Sequence, residues 1–127
     1  MAASDTPTDR VYSETHEWHK LDGDVVTIGL TRFAVDNLTD VTYAEMRPAG
    51  TSVAASDVIG EVESVKTTSD VYSAVSGEII EINSTLADDP GCINSDPYGA
   101  GWLVKVKATN AGELDALKSA ADYDASL

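Results

Sequence analysis

Hydrophobic and β-branched residues alternate with polar ones in short stretches along this chain, and turn residues separate the stretches. Such alternation is typical of strands that bury one face, because successive side chains of a strand point to opposite sides. The run Asp22-Gly23-Asp24 between the first two stretches predicts a hairpin turn. The predicted strands span residues 11–20, 25–30, 41–46, 58–65, 71–75, 78–83 and 102–107, and residues 84–101 are predicted to form a loop.

Two stretches change to a helical period. Thr31 is predicted to cap the first helix, which ends at Leu38. Asn110 is followed three residues later by Glu113, which is the spacing of a capping box and predicts a C-terminal helix. The helical side chains expected to face the core are Phe33, Ala34 and Leu38 in the first helix, and Leu114, Leu117 and Ala121 in the second.

Many short strands with frequent turns and few helices favour a mainly β fold. We therefore predict an antiparallel sandwich or flattened barrel, with a short helix and a C-terminal helix packed outside it. With 127 residues, the chain is long enough for one hydrophobic core but not for two. Residues 1–10 are predicted to form a disordered polar tail, and residues 11–127 a single domain.

The charge of the chain is strongly acidic, with 22 acidic against 8 basic residues and a net charge of −14. Repulsion therefore disfavours binding to nucleic acids and to anionic membranes. A surface this acidic with few lysines is typical of proteins that work in high salt, where screening suppresses self-repulsion. We expect a halophilic source, and the alternative is an ordinary acidic carrier that meets basic partner surfaces.

The single cysteine, Cys92, excludes an internal disulfide and favours a reducing compartment. Neither His16 nor His19 has a local pattern that would make Cys92 a nucleophile, and on one strand the two histidines would lie on opposite faces. A two-histidine metal site is therefore not expected. The first ten residues lack the apolar core of a signal peptide, and no stretch has membrane-spanning length, so we expect a soluble cytoplasmic protein.

Lys66 lies between two predicted strands, at the tip of a hairpin. Strand formers precede it in residues 58–62 and follow it in residues 71–75, and the residues around it are small and polar. A lysine amine can be acylated, which removes its charge, and its flexible stem suits a swinging arm. An unmodified, solvated lysine is the common alternative for a turn position.

The string around this lysine resembles the lipoyl-lysine segment of the glycine cleavage system H-protein. The matching residues are ESVKTTSDVY and SGEIIEIN. Glu63 lies three residues before Lys66 and Gly77 eleven residues after it, which is the spacing that this family presents to its lipoate-attaching enzymes. The resemblance therefore implies that Glu63 and Gly77 are read during lipoylation of Lys66.

The resemblance extends from about residue 11 to about residue 123, through YSETHEW, VTIGLTRFAVDNLTD and DDPGCINSDPYGAGWLVKVK. It implies a lipoyl-domain-like barrel-sandwich hybrid. Three positions depart from the family pattern. Thr39 stands where glycine is usual, Ala74 where proline is customary and Cys92 where an aliphatic residue is usual.

The family implies a carrier and not an enzyme, with lipoate covalently bound to Lys66. A glycine decarboxylase that uses pyridoxal phosphate passes an aminomethyl group to the lipoyl sulfur. The aminomethyltransferase then moves the one-carbon unit to tetrahydrofolate, and dihydrolipoamide dehydrogenase reoxidises the dithiol. A lipoate ligase or a lipoyl or octanoyl transferase supplies the group, and a monomer is expected.

The family also protects the loaded arm by folding it onto a cleft of the carrier. By position, the residues of this chain that would line the cleft are Thr15, Glu17 and Asp70. The loaded arm ends in an amine, which a carboxylate can hold when the amine is cationic. If residues 11–20 form one strand, Thr15 and Glu17 share a face, which agrees with this role.

Four alternatives have different signatures. A biotin carrier usually has methionines around its lysine, whereas Val65 and Thr67 flank Lys66 here. A lipoyl domain of a 2-oxo acid dehydrogenase usually has an acidic residue just before the lysine, and lacks the THEW opening. An H-protein that relays lipoyl or octanoyl groups to other proteins remains open. The fourth alternative is an acidic interaction module whose lysine is never acylated.

Overall fold

The computed structural model describes residues 6–127, which fold into nine strands and several short helices. The strands are β1 Val11–Tyr12, β2 Glu17–Asp22, β3 Val25–Leu30, β4 Val41–Met46, β5 Ser52–Val53, β6 Val58–Ser64, β7 Thr68–Tyr72, β8 Gly77–Ile82 and β9 Val104–Ala108. The helices are α1 Arg32–Leu38, α2 Thr85–Asp88, α3 Cys92–Ser95, a 3₁₀ helix Ala111–Ala116 and α4 Ala120–Ala125. None of the helices within residues 6–127 has the length and apolarity that a bilayer crossing requires.

The strands form two antiparallel sheets. The larger sheet has six strands in the order β1-β2-β3-β9-β8-β5, and the smaller has three in the order β4-β6-β7. The predicted antiparallel sandwich with short helices is confirmed, and the sheets do not close into a barrel.

The main core lies between the two sheets. From the larger sheet it takes Ile28, Val106 and Ile79, and from the smaller sheet Ile59 and Val62, all fully buried. Val106 and Ile79 follow the alternation in the sequence, because their strand neighbours are more exposed. Ile59 and Val62 are three residues apart, and the register irregularity between Val58 and Gly60 lets both face the core. A second cluster, formed by Tyr12, Trp18, Ala120 and Tyr123, attaches the C-terminal helix α4 to β1 and β2.

Helix α1 begins at the predicted cap. The Thr31 side chain accepts a hydrogen bond from the Ala34 N–H at 3.2 Å. The predicted inward face is partly wrong, because Phe33 is 38% exposed and Val35 is buried together with Leu38. Val35 and Leu38 are three residues apart and share one helix face, whereas Phe33 lies on nearly the opposite side, where its ring packs on His16 with centroids 4.7 Å apart.

The predicted strand 11–20 is interrupted. Residues 13–16 form a turn in which the Ser13 N–H donates to the Glu17 carbonyl at 2.9 Å, and His16 has φ 72°. Positive φ is uncommon outside glycine, although histidine is among the more tolerant residues. The His16 ring accounts for this conformation, because its Nδ1 lies 2.7 Å from the Tyr123 hydroxyl in the second cluster.

The predicted loop and C-terminal helix also differ from the structure. Two short helices, α2 and α3, lie within residues 84–101. The capping box does not form, because Asn110 accepts from the Gly112 N–H while Glu113 accepts from the backbone and hydroxyl of Ser76. The result is a 3₁₀ helix, an extended residue at Leu117 and then α4. In these elements Leu114 is buried as predicted, whereas Ala121 is exposed.

Residues 6–10 contact the folded domain without forming a helix or strand. The Thr6 hydroxyl donates to Asp124 at 2.6 Å, the Pro7 carbonyl accepts from the Tyr12 hydroxyl, and the Arg10 guanidinium lies 4.6 Å from the Trp18 ring centroid. Within the predicted disordered tail, residues 1–5 lie outside the described residues.

Candidate functional site

Lys66 lies in a two-residue loop between β6 and β7. Glu63 pairs with Thr68, so Ser64 faces Thr67 and only Val65 and Lys66 connect the strands. The predicted hairpin with a lysine at its tip is therefore confirmed. Val65 is 69% exposed, and Lys66 is exposed beside it.

Ser64 closes this loop through its side chain. Its hydroxyl accepts from the Lys66 N–H at 3.2 Å and the Thr67 N–H at 3.1 Å, and it donates to the Thr67 carbonyl. Two-residue hairpin loops usually need positive φ, and glycine or asparagine provides it. Val65 and Lys66 both keep negative φ, because the serine hydroxyl supplies the turn bonds instead.

A backbone hydrogen bond also joins the loop to a residue outside the hairpin. The Val65 N–H donates to the Asp40 carbonyl at 3.1 Å, and Asp40 lies between α1 and β4. The Lys66 ammonium forms no ion pair with any carboxylate of residues 6–127. The backbone under Lys66 is therefore held on two sides, while its side chain is exposed and forms no ion pair with these residues.

Glu63 lies on the outer face of the smaller sheet, next to the hairpin tip. It is half-buried and pairs across the sheet with Tyr43 on β4 and Thr68 on β7. This face also carries Glu45 and Glu61, which pair with each other. Glu45 above all, with Glu61 and Glu63, raises the pKa of the Tyr43 hydroxyl. A partner protein that contacts both Lys66 and Glu63 therefore meets a strongly negative sheet face.

Gly77 begins β8 in the larger sheet and not in the sheet that carries Lys66. It pairs with Val53 on one side and Ala108 on the other. A Cβ at this position would lie 2.1 Å from the Lys107 carbonyl oxygen, so the close approach of β9 requires glycine. The strand packing alone accounts for a glycine here.

A cavity of about 300 Å³ opens beside the turn of residues 13–16. Its polar lining includes Ser13, Thr15 and Glu17, and the adjoining wall is formed by Tyr72, Ser73 and Ala74. The structure therefore brings Thr15 and Glu17 together, as expected, although a turn rather than strand alternation does so.

The Glu17 carboxyl is 1% exposed and is held by three donors. One oxygen accepts from the hydroxyls of Ser13, at 2.7 Å, and Thr15, and the other accepts from the Tyr72 N–H at 3.2 Å. Burial raises the pKa of this carboxyl, and the hydrogen bonds oppose the rise only in part. No ion pair involves Glu17 within the described part of the chain. Glu17 is therefore a buried carboxyl that is stabilised by hydrogen bonds and not by an ion pair among these residues.

Asp70 lies elsewhere. It is exposed on β7, pairs with Glu61 and lines a separate depression with Glu45, Arg47 and Pro48. Asp70 does not line the cavity that contains Glu17.

His19 is a residue of this region that sequence reasoning considered only as a metal ligand or a base. It is fully buried, and its Nε2 accepts from the Ala74 N–H at 3.1 Å. The sequence signal for its place here was its position two residues after Glu17 in a strand, which puts both side chains on one face.

No cluster of metal-binding side chains occurs among residues 6–127. Cys92 is buried, and burial raises the pKa of its thiol.

Comparison with known proteins gives one family. A model of the family described as "Glycine cleavage H-protein" matches residues 10–127. The chain is 48% identical to the glycine cleavage system H protein of Methylacidiphilum infernorum over 117 residues, which cover 92% of this chain and 91% of that protein. It is 51% identical to the mitochondrial H protein of Flaveria pringlei over 112 residues, which cover 88% of this chain and 69% of that protein.

A solved structure agrees with these relatives. The crystal structure of a glycine cleavage system H protein from Mycobacterium marinum matches with a TM-score of 0.87 and 40% identity, over 94% of this chain and 97% of that chain. The match therefore extends through both sheets and the C-terminal elements. The chain belongs to the glycine cleavage H-protein family.

Proposed function

We propose that this protein is the lipoyl carrier of a glycine cleavage system, with lipoate in amide linkage to Lys66. In this role it takes an aminomethyl group from glycine decarboxylase, presents it to the aminomethyltransferase and passes electrons to dihydrolipoamide dehydrogenase. The observation that carries the proposal is the exposed, unpaired Lys66 on a two-residue loop whose backbone is held by Ser64 and Asp40. An attachment site needs an exposed amine whose supporting backbone is held in place.

The residues present fit a lipoyl arm. When bound, lipoate supplies a disulfide that accepts the aminomethyl group and is left as a dithiol. Thr15 and Glu17 are the residues that would hold the end of the arm in the 300 Å³ cavity. A buried carboxylate attracts a cationic amine strongly in such a place, because little water screens the charge. Asp70 was the third candidate, and we assign it to the outer surface that partners meet.

The walls of the cavity have a second role, which is to limit water. The Tyr72–Ala74 segment, which is bonded to the Glu17 carboxyl through the Tyr72 N–H, and Leu117 both line the space. A loaded arm that lies against these residues is shielded from hydrolysis. This chain therefore binds, orients and protects, and we assign the catalytic steps to its partner enzymes.

Glu63 is proposed as the residue that the lipoate ligase or lipoyl or octanoyl transferase reads beside Lys66, with Gly77 as the second recognition position. The acidic outer sheet face supports docking of partners with basic surfaces, and such docking weakens as salt rises. The net charge supports a protein that binds neither nucleic acid nor anionic membranes, and we propose that it is a cytoplasmic monomer. A halophilic source rests on the same charge and predicts an unfolding midpoint that rises with potassium chloride.

The experiment is intact-mass spectrometry of protein from its native host, followed by peptide mapping of the Lys66 segment. We expect a mass increase of one lipoyl group on Lys66, and none in the Lys66→Arg variant, which keeps the charge but cannot form the amide. Lys105→Arg is the matched control, because Lys105 lies within β9 of the other sheet and its replacement should leave lipoylation unchanged.

Other results would replace the proposal. A biotin-sized increase would move the protein to carboxyl transfer, and an unmodified lysine in native protein would favour the interaction module. Transfer of the lipoyl group from this protein to a second acceptor would identify the relay function. Reconstitution with the three partner enzymes then tests the carrier role directly.

A further inference from the structure

On the side that faces β2, the backbone at the end of β7 and just after it is held by side chains and not by a strand partner. The Tyr72 N–H donates to Glu17 at 3.2 Å, and the Ala74 N–H donates to His19 Nε2 at 3.1 Å. Glu17 and His19 lie two residues apart on β2, so their side chains leave the same face and reach alternate N–H groups. Together they do what a paired strand would do for this segment.

The other side of the segment is held by backbone bonds. The Ser73 N–H donates to the Asp57 carbonyl at 3.0 Å, and the Ser56 N–H donates to the Ser73 carbonyl at 2.7 Å. These bonds fix Ser73 and leave the Ala74 N–H to a single acceptor, His19 Nε2. The position of Ala74 relative to β2 therefore depends on one hydrogen bond.

Histidine is a costly residue for this position. Because Nε2 accepts, the proton of the neutral ring is on Nδ1, and Nδ1 has no partner among the described residues. An unsatisfied buried N–H opposes folding, so an apolar side chain would suit the site better if packing alone mattered. Burial lowers the pKa of His19 to about 4, so the accepting form is present at neutral pH.

Ala74 is placed where this bond has an effect. It lines the cavity that contains Glu17, and it also lines a neighbouring cavity of about 430 Å³. Glu14, Ser56 and Leu117 border both spaces as well. Ala74 is therefore part of the partition between the two cavities, and a shift of its backbone changes the shape of both.

We propose that His19 is a positioning residue of the arm-binding cavity, which fixes the Tyr72–Ala74 wall by accepting the Ala74 N–H. The proposal rests on the proposed function, in which the loaded arm lies in that cavity. His19 does not touch the arm. It sets how closely the wall approaches Glu17, and with it how well the cavity excludes water.

The test compares His19→Leu, which removes the acceptor, with His19→Gln, whose side-chain oxygen restores one. The first readout is amide hydrogen exchange at Ala74 in the unmodified protein. We expect exchange at Ala74 to rise about five- to tenfold in His19→Leu, as for the loss of one hydrogen bond, and to stay near wild type in His19→Gln. The amide of Val106, in the centre of the larger sheet, is the reference for global unfolding.

The second readout uses lipoylated, aminomethyl-loaded protein without partner enzymes, and measures ammonia release into buffer. Release should rise in His19→Leu and return to the wild-type rate in His19→Gln. Unchanged exchange at Ala74 would overturn the hydrogen-bond role, and an equal rise at Val106 would reduce it to general stability. Faster exchange without faster release would overturn the link to the arm.

Failure of the proposed function is seen separately. Intact mass is measured first on the wild type and on both variants. If Lys66 of the wild type carries no lipoyl group, the carrier function fails, whereas the exchange result at Ala74 still reports on the wall. If all three proteins carry the group, the release assay tests the positioning role alone.

Discussion

Gly77→Ala separates the two explanations for this glycine, which are recognition by the lipoylating enzyme and packing of the larger sheet. The added Cβ would lie 2.1 Å from the Lys107 carbonyl oxygen and 3.0 Å from a Val106 methyl. Ordinary contacts of carbon atoms begin near 3.5 Å, so β8 and β9 would have to separate by roughly 1 Å. Gly77 pairs on both sides, so this movement also disturbs its pairing with Val53.

The expected cost follows from these contacts. Overpacking of a closely packed site costs about 1–3 kcal/mol, and each disturbed sheet hydrogen bond adds about 1 kcal/mol. We expect Gly77→Ala to lower the free energy of unfolding by about 3 kcal/mol, and the melting temperature by roughly 10 °C. Urea unfolding followed by circular dichroism measures both the midpoint and the slope.

Gly91→Ala is the matched control. Gly91 has φ −62°, and its nearest contact for a Cβ is the end of the Asp89 side chain at 3.3 Å, so alanine fits with little strain. An unfolding free energy of Gly77→Ala within about 0.5 kcal/mol of wild type would refute the packing argument. In that case a loss of lipoylation in the same variant would assign Gly77 to recognition.

Four further predictions follow from single contacts. The pKa of His19 falls from 6.5 to about 4 on folding, so the unfolded state binds more protons between these pH values. The free energy of unfolding should therefore drop by about 3 kcal/mol as pH falls from 6.5 to 4. Urea titrations of His19→Gln should lack this drop. Ser64→Ala should cost about 1 kcal/mol and slow lipoylation of Lys66 in a ligase assay, because the loop loses its side-chain acceptor; an unchanged rate would contradict this role. Ala74→Pro should destabilise the protein by about 2 kcal/mol by removing the N–H that His19 accepts, and adding His19→Leu should recover most of the loss in thermal unfolding, which additive effects would contradict. Thr39 has φ 64° and ψ −139°, so Thr39→Gly should raise the unfolding free energy by about 1 kcal/mol, and a lower value would show that the conformation is unstrained.

Titration of Glu17 changes stability with pH in the opposite direction to titration of His19. Comparing the wild type with His19→Gln removes the Glu17 contribution. Burial raises the pKa of the Glu17 carboxyl, so the folded state keeps this proton to higher pH than the unfolded state. Stability from Glu17 therefore falls as pH rises through that window. The difference between wild type and His19→Gln cancels this term, provided that Glu17 titrates alike in both proteins.

The hairpin and the strands could be predicted from the sequence because their signals are local. Alternation over a few residues gives β6 and the end of β7, and the small polar residues around Lys66 give the turn. Residues 68–70, which were predicted to belong to the turn, form the start of β7, and the predicted strand 71–75 ends at Tyr72. The helix cap at Thr31 is local in the same sense. The face of α1 that is buried is not local, since apolar residues occur on opposite sides of this short helix and contacts with the rest of the fold decide between Phe33 and Val35.

The cavity could be predicted only in part. Thr15 and Glu17 are close in sequence, so their contact was expected, but the turn that makes it depends on His16 reaching Tyr123. The bonds from Tyr72 and Ala74 to β2 join residues 55 positions apart in the chain. The local pattern of hydrophobic and polar residues does not predict these long-range hydrogen bonds. The need for glycine at position 77 likewise follows only from the register of β9.

The two sheets differ in how far apart along the chain their partners lie. In the smaller sheet β6 pairs with the strand that follows it and with the strand shortly before it, whereas in the larger sheet Val26 on β3 pairs with Val106 on β9. Local pairings form faster than distant ones, because less loop entropy is lost in closing them. On a growing chain the strands of the lysine hairpin can thus pair while β9 is still unmade, so the part of the fold that presents Lys66 needs no residue from the C-terminal strand to set its register.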